Sequence, residues 1–124
     1  MTLVAHAPAA LSEPGLRRVT DHIEAHLHRP LTLTELAMVA GMSRYHFARR
    51  FKASTGVPPH RFITQRRIER AKALLREGTL PIGTIATTVG FRTPSHFTAV
   101  FHRVTGLTAG AYRVAGGTLS AEGS

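Results

Sequence analysis

The sequence predicts an all-α fold in which one helix-turn-helix unit occurs twice, with a long helix between the copies. Three observations carry this expectation. The stretch TLTELAMVAGMSRYHFARRFKASTG, residues 32–56, returns about fifty residues later: Leu36 and Ala37 align with Ile85 and Ala86, and Gly41 with Gly90. One extra residue in the second copy then sets His46 and Phe47 over His96 and Phe97, Phe51 over Phe101, Thr55 and Gly56 over Thr105 and Gly106, and Phe62 over Tyr112. Within each copy, apolar residues recur at three- and four-residue spacings, the period of a helix with one buried face. Glycine and proline fall at the ends of those runs, where helices stop and start.

Taken in order, residues 1–11, MTLVAHAPAAL, show no period and read as a flexible lead-in. Ser12 offers an N-cap, with Leu11 and Leu16 at the staple positions on either side. Leu16, Val19, Ile23 and Leu27 then form one face of a first helix that stops before Pro30. His22 and His26 stand four apart on it, a spacing able to grip a metal, but with no third ligand beside them they read as a solvated pair. Thr32 and Glu35 make a capping box with Leu31 and Leu36 as its staple, so a second helix begins near Leu33 and ends at Gly41. Its buried residues are expected to be Leu33, Leu36, Ala37 and Ala40. Ser43 caps a third helix with Phe47 and Phe51 inside and Arg44, Tyr45, Ala48, Arg49 and Lys52 outside. Gly56 ends it.

A fourth helix starts with Pro59 at its first position and stops at Gly78. Phe62, Ile68, Ala71, Leu74 and Leu75 form its apolar stripe, and Arg61, Arg66, Arg67, Arg70, Lys72 and Arg76 spread around the remainder. About eighteen residues at ~1.5 Å each make a rod of roughly 27 Å. With the girth of the units it joins, the copies are expected about one turn of DNA apart, ~34 Å. Pro81 opens the second copy, whose short helix buries Ile82, Ile85, Ala86 and Val89 and ends at Gly90. Gly83, Thr84, Thr87 and Thr88 are poor helix formers, so packing must hold it. Thr93 caps the last long helix, with Pro94 at its first position, Phe97, Phe101 and Val104 inside, and Ser95, His96, Thr98, Ala99 and His102 outside. A final turn from Thr108 to Val114 returns Tyr112 to the core, and residues 115–124 are expected to be disordered. The expected units are 12–57, a linker helix at 58–78, and 79–114.

The formal charge of +9 is concentrated: ten Arg or Lys stand against the single acid Glu69 between Ser43 and Arg76, while the flanking segments are close to neutral. Such a surface implies a polyanionic partner, nucleic acid before anionic membrane. The absence of cysteine excludes disulfides, thiolate zinc sites and cysteine nucleophiles together. Nothing reads as a membrane span or a cleavable signal, since His6 and Pro8 interrupt the N-terminal apolar run, and a cytoplasmic, nucleoid-associated protein is expected.

The segments ELAMVAGMSRYHFARRFKASTGVPPHRFI, RRIERAKALL and IATTVGFRTPSHFTAVFHRVTG followed by AYR resemble the DNA-binding domain of the AraC/XylS family of bacterial transcription regulators, over residues 12–113. The resemblance implies seven helices, two homeodomain-like three-helix units, and two recognition helices entering successive major-groove segments of an asymmetric site. Carried over by motif position, Tyr45, Ala48 and Arg49 of the first recognition helix would face base edges, as would Pro94, Ser95, His96, Thr98 and Ala99 of the second. Arg49 leads them, because its planar fork pairs with guanine O6 and N7. Ser43, Arg44, His46, Lys52, Arg66 and Arg67 in the first half, and Arg92, Thr93, His102 and Arg103 in the second, are expected on phosphates. His46 and His96, at equivalent positions, suggest a shared job at the turn. The chain departs from the family pattern at Ala99, where arginine is common, at Ala109, where proline is usual, and at Thr84, where an acid often supplies a cap.

The expected function is sequence-specific binding of double-stranded DNA by a monomer that regulates transcription. The resemblance adds activation and contact with RNA polymerase. No cofactor, metal or membrane partner is expected. A second reading makes the chain the DNA-binding half of a longer ligand-sensing regulator, with HAPAALSEPG as part of a linker, although Met1 fits a native start equally well. A third is a non-specific architectural or RNA-binding basic protein. An enzyme is the poorest: no acid lies near His46 or His96 in sequence, and relatives that accept alkyl groups on a cysteine are excluded with the cysteines.

Overall fold

Five of the helices start where a hydroxyl satisfies an otherwise unpaired amide. Ser12 Oγ accepts from the Gly15 amide at 3.1 Å, Thr32 Oγ1 from Glu35 at 3.1 Å, Ser43 Oγ from His46 at 3.2 Å, Thr93 Oγ1 from His96 at 3.1 Å and Thr108 Oγ1 from Ala111 at 3.0 Å. Each such cap contributes about 1 kcal/mol. The computed structural model describes residues 9–123, with side chains as far as 116, so most of the expected lead-in lies outside the described residues. Among the described residues the helices are α1 (Glu13–Ala25), α2 (Leu33–Ala40), α3 (Arg44–Thr55), α4 (Pro59–Glu77), α5 (Ile82–Thr88), α6 (Pro94–Thr105) and α7 (Ala109–Gly123), with no strand.

Two compact units result. The first holds the described residues up to His26 together with Pro30–Thr64, and the second holds Leu27–Arg29 and the chain from Gln65 onward. The helix expected as the linker runs through both, with Pro59–Thr64 in the first unit and the chain from Gln65 in the second.

In the first unit the core is Val19 and Ile23 of α1, Leu36 and Ala37 of α2, Phe47 and Phe51 of α3, and Ile63 of α4. The Phe51 ring meets Phe62 edge-on at 5.2 Å, and Leu11 is buried with its amide donating to Ser54 Oγ at 2.9 Å. Leu33, expected inside, is 38% exposed. It occupies the first helical position, and helical side chains lean toward the N-terminus, so it projects off the end of α2. His22 of α1 and His26 just past its end are not a solvated pair. His22 Nε2 donates to the Glu35 carboxylate at 2.6 Å, tying α1 to α2, and His26 Nδ1 donates to the His22 carbonyl at 2.8 Å.

The second unit repeats the plan. Its core gathers Ile68, Ala71 and Leu75 of α4, Ile85 and Ala86 of α5, Phe97, Val100 and Phe101 of α6, and Ala109 of α7, with Tyr112 edge-on to Phe101 at 5.5 Å as Phe62 is to Phe51. Val104, expected inside, is 45% exposed and Val100 is buried in its place. The core ends one turn short of the helix end, as at the equivalent Ser54, which is only half-buried. Both recognition-type helices close identically: Thr55 Oγ1 lies 3.0 Å from the Phe51 carbonyl and accepts from the Val57 amide at 3.3 Å, and Thr105 Oγ1 lies 2.8 Å from the Phe101 carbonyl and accepts from Leu107 at 3.1 Å. α7 continues to Gly123, past the final turn expected to end at Val114. Gly116 is buried, and a Cβ there would lie 3.3 Å from the Tyr112 ring, so a residue without a side chain lets the helix pass this ring.

Leu27, counted by spacing with the α1 face, lies beyond the helix end, is fully buried and belongs to the second unit. Its carbonyl is the crossing point of that unit. Arg67 Nε donates to it at 3.1 Å while Nη2 donates to the Arg29 carbonyl at 2.8 Å. Burial lowers the pKa of this guanidinium, and the two carbonyls offset the loss of water. Gly90, at φ 101°, lets the α5 end approach: an added Cβ would sit 1.9 Å from the Leu27 oxygen and 2.8 Å from Arg67 Nε. Gly106 shares the left-handed backbone at φ 82° but has nothing within 4 Å of an added Cβ. Gly90→Ala is therefore expected to destabilise by about 3 kcal/mol or more, and Gly106→Ala by about 1 to 2 kcal/mol. Urea unfolding of the two variants checks this; equal losses would refute the crossing-point account.

Candidate nucleic-acid interface

On α3, burial of Phe47 and Phe51 turns the opposite face outward, and Tyr45, Ala48, Arg49 and Lys52 follow one another there at helical spacing. Tyr45 is 65% exposed. The Arg49 guanidinium carbon lies 5.4 Å from the centre of its ring, and Arg49 Nη1 donates to Tyr45 Oη at 3.2 Å. The ring therefore holds the guanidinium over its face, reducing the rotamer freedom that arginine would lose on binding. Ala48, between them, is half-buried. At the start of the helix Ser43 Oγ and His46 Nδ1 are 2.9 Å apart, and Arg44 and Lys52 extend the exposed positive charge.

On α6 the same construction presents different chemistry. Phe97 and Phe101 are buried, and Ser95, Thr98, Ala99 and His102 form the stripe equivalent to Tyr45, Ala48, Arg49 and Lys52, all four exposed. Thr98 Oγ1 donates back to the Pro94 carbonyl at 2.9 Å. His96 is exposed with its ring edge-on to Phe91 at 5.5 Å, whereas His46 stands against Tyr45 at 5.6 Å. What the two histidines share is the capped backbone amide; their ring contacts differ. Arg92, Thr93 and Arg103 are exposed around the stripe.

The family departures have local consequences. α5 begins at Pro81 with no side-chain cap, and the hydroxyls of Thr87 and Thr88 both donate to the Thr84 carbonyl, at 3.1 and 2.7 Å. Ala109 is buried at the start of α7, and the Thr108 cap starts that helix without a proline.

Arg67 stands apart from the expected phosphate contacts. Two of its nitrogens are committed to the backbone of Leu27 and Arg29, and it is half-buried. Arg66 is half-buried beside it in sequence. No local signal marks this role, because its partners lie 38 and 40 residues away. Among the described residues no cluster of three or more His, Cys, Asp or Glu could hold a metal, and no helix is long and apolar enough to cross a membrane.

Comparison with known proteins agrees with this arrangement. The Helix-turn-helix domain family matches residues 36–115. An AraC-like transcription regulator from Streptomyces antibioticus is 36% identical over 105 residues, covering 85% of this chain and 35% of that protein. The C-terminal domain of AraT, a response regulator from Geobacillus stearothermophilus, superposes with a TM-score of 0.79 at 32% identity, covering 85% of this chain and 87% of that one. The DNA-binding domain of the global transcriptional factor AdpA, solved in complex with a target DNA, gives 0.77 at 34% identity, covering 82% and 91%. The chain spans about a third of the length of several curated relatives it matches and 14% of others. These relatives are transcription regulators. With two helix-turn-helix units carried on one duplicated scaffold, the chain belongs to the AraC/XylS family of transcription regulators, of which it holds the DNA-binding domain.

Proposed function

We propose that this domain binds a specific duplex site as a monomer, with α3 and α6 entering successive major-groove segments and the bound protein activating transcription through RNA polymerase. The exposed Tyr45–Arg49 pair carries the reading. A guanidinium held over an aromatic ring on the exposed face of α3 is suited to the guanine edge, where a bidentate contact discriminates by about 1 to 3 kcal/mol. Ala48 and, on α6, Ser95, His96, Thr98 and Ala99 face the remaining bases. Ser43, Arg44, His46, Lys52 and Arg66, with Arg92, Thr93, His102 and Arg103, bind phosphates and set the register. Arg67 leaves this set and becomes a structural residue. Activation rests on the family likeness. A second reading, in which this chain is the DNA-binding half of a longer ligand-sensing regulator, is favoured by its spanning about a third or less of its relatives' length. The length of the native open reading frame decides it.

Arg49→Ala is expected to weaken specific binding roughly 5- to 150-fold and to relax preference at one guanine, with random duplex little affected. Competition binding against random duplex measures this, and equal losses on both would reject the base contact. Lys52→Gln is expected to weaken all sequences alike and to flatten the slope of log affinity against log salt by about one. Arg67→Gln is expected to leave that slope unchanged and to lower the unfolding midpoint; a salt slope that moves with Arg67 would return it to the phosphates.

A further inference from the structure

We propose that α6 selects thymine in its half of the site, through contact of the Thr98 γ-methyl and the Ala99 β-methyl with the C5-methyl groups that thymine projects into the major groove. This rests on the reading above that α6 enters that groove, and it assigns the base chemistry that reading leaves open.

The exposed stripe of α6 lacks the side chains that read three of the four bases. Guanine is read in the major groove by an arginine or lysine, adenine by asparagine or glutamine, and cytosine by a carboxylate. From Thr93 to His102 the chain contains none of these six side chains. Ser95 offers a hydroxyl, which pairs with several base edges and separates none of them, and the His96 ring stands at the edge of the stripe against Phe91, 5.5 Å away. Two methyl groups remain at the centre of the stripe, at the positions equivalent to Ala48 and Arg49 of α3. Thr98 and Ala99 are both exposed.

The Thr98 side chain is further restricted by its own hydrogen bond. Its single hydroxyl hydrogen goes to the Pro94 carbonyl at 2.9 Å. That bond fixes χ1, and with it the direction of the γ-methyl, while removing the one donor that Thr98 could offer a base. A pinned methyl beside the Ala99 methyl makes a small apolar surface on an otherwise polar face. Of the groups a base pair shows in the major groove, the thymine C5-methyl is its apolar counterpart. The duplicated scaffold thus carries two unlike surfaces, a charged fork on α3 and a pair of methyls on α6.

The test uses the chain and chemically altered DNA, so the protein fold is untouched. Sites are selected from random duplexes, footprinted, and each thymine of the half protected by the second unit is replaced singly by deoxyuridine, which removes only the C5-methyl. The expected result is a loss of roughly fourfold in affinity for each contacted thymine, at fixed salt. Thr98→Ser, which keeps the hydroxyl and its bond, is expected to shrink that penalty at one position. A protected second half in which uracil binds as tightly as thymine, or in which guanine is selected instead, overturns the inference and leaves two-groove binding intact. A footprint confined to one half-site overturns both.

Discussion

The orientation of each exposed helix depends on one constraint, the burial of two phenylalanines four residues apart. Phe47 and Phe51 in α3, and Phe97 and Phe101 in α6, are fully buried, and each is worth about 1.5 to 3 kcal/mol on removal from water. A helix so anchored cannot rotate without exposing a ring, so the residues one and two places before each phenylalanine, or one and two after it, are sorted by geometry into rim and outer face. Tyr45 and Arg49 stand outward because Phe47 and Phe51 stand inward. The closing threonines, Thr55 and Thr105, and the aromatic rings of Phe62 and Tyr112 finish the same cage from the far end.

A duplicated scaffold frees its outer surface to diverge. The buried faces of α3 and α6 agree almost residue for residue, while the outward stripes differ at every equivalent position: Tyr45, Ala48, Arg49 and Lys52 against Ser95, Thr98, Ala99 and His102. Packing tolerates little change, because a core at close density feels a single methylene. Solvent-facing positions tolerate a great deal. The first unit is therefore positively charged and aromatic where the second is small and neutral, on backbones closed by the same caps.

Charge in the sequence does not translate directly into charge at the interface. Arg67 sits in the basic stretch, yet its guanidinium binds the carbonyls of Leu27 and Arg29 and supports the approach of Gly90. Arg76 of the same helix likewise donates to Tyr112 Oη at 2.7 Å. The same holds for His22 of α1, which is engaged with Glu35 rather than hydrated.

The helix starts, the recurring unit and the outward stripe of α3 were legible because each rests on interactions within four residues: Ser12, Thr32, Ser43 and Thr93 cap the amides three places on, and the phenylalanine pairs announce their face. What could not be read depends on partners distant in the chain or on where a core runs out. Val104 lies in the middle of the apolar face of α6 by spacing, yet the core stops before reaching it, and Leu27 continues the α1 face in sequence while the backbone leaves the helix at His26. The sequence by itself determined the helices, their repeat and the family. Only the tertiary structure decided that Arg67 serves the fold, that Arg49 lies across Tyr45 and that Gly90 admits the Leu27 carbonyl, because side-chain spacing along a helix says which face a residue takes but not what packs against it.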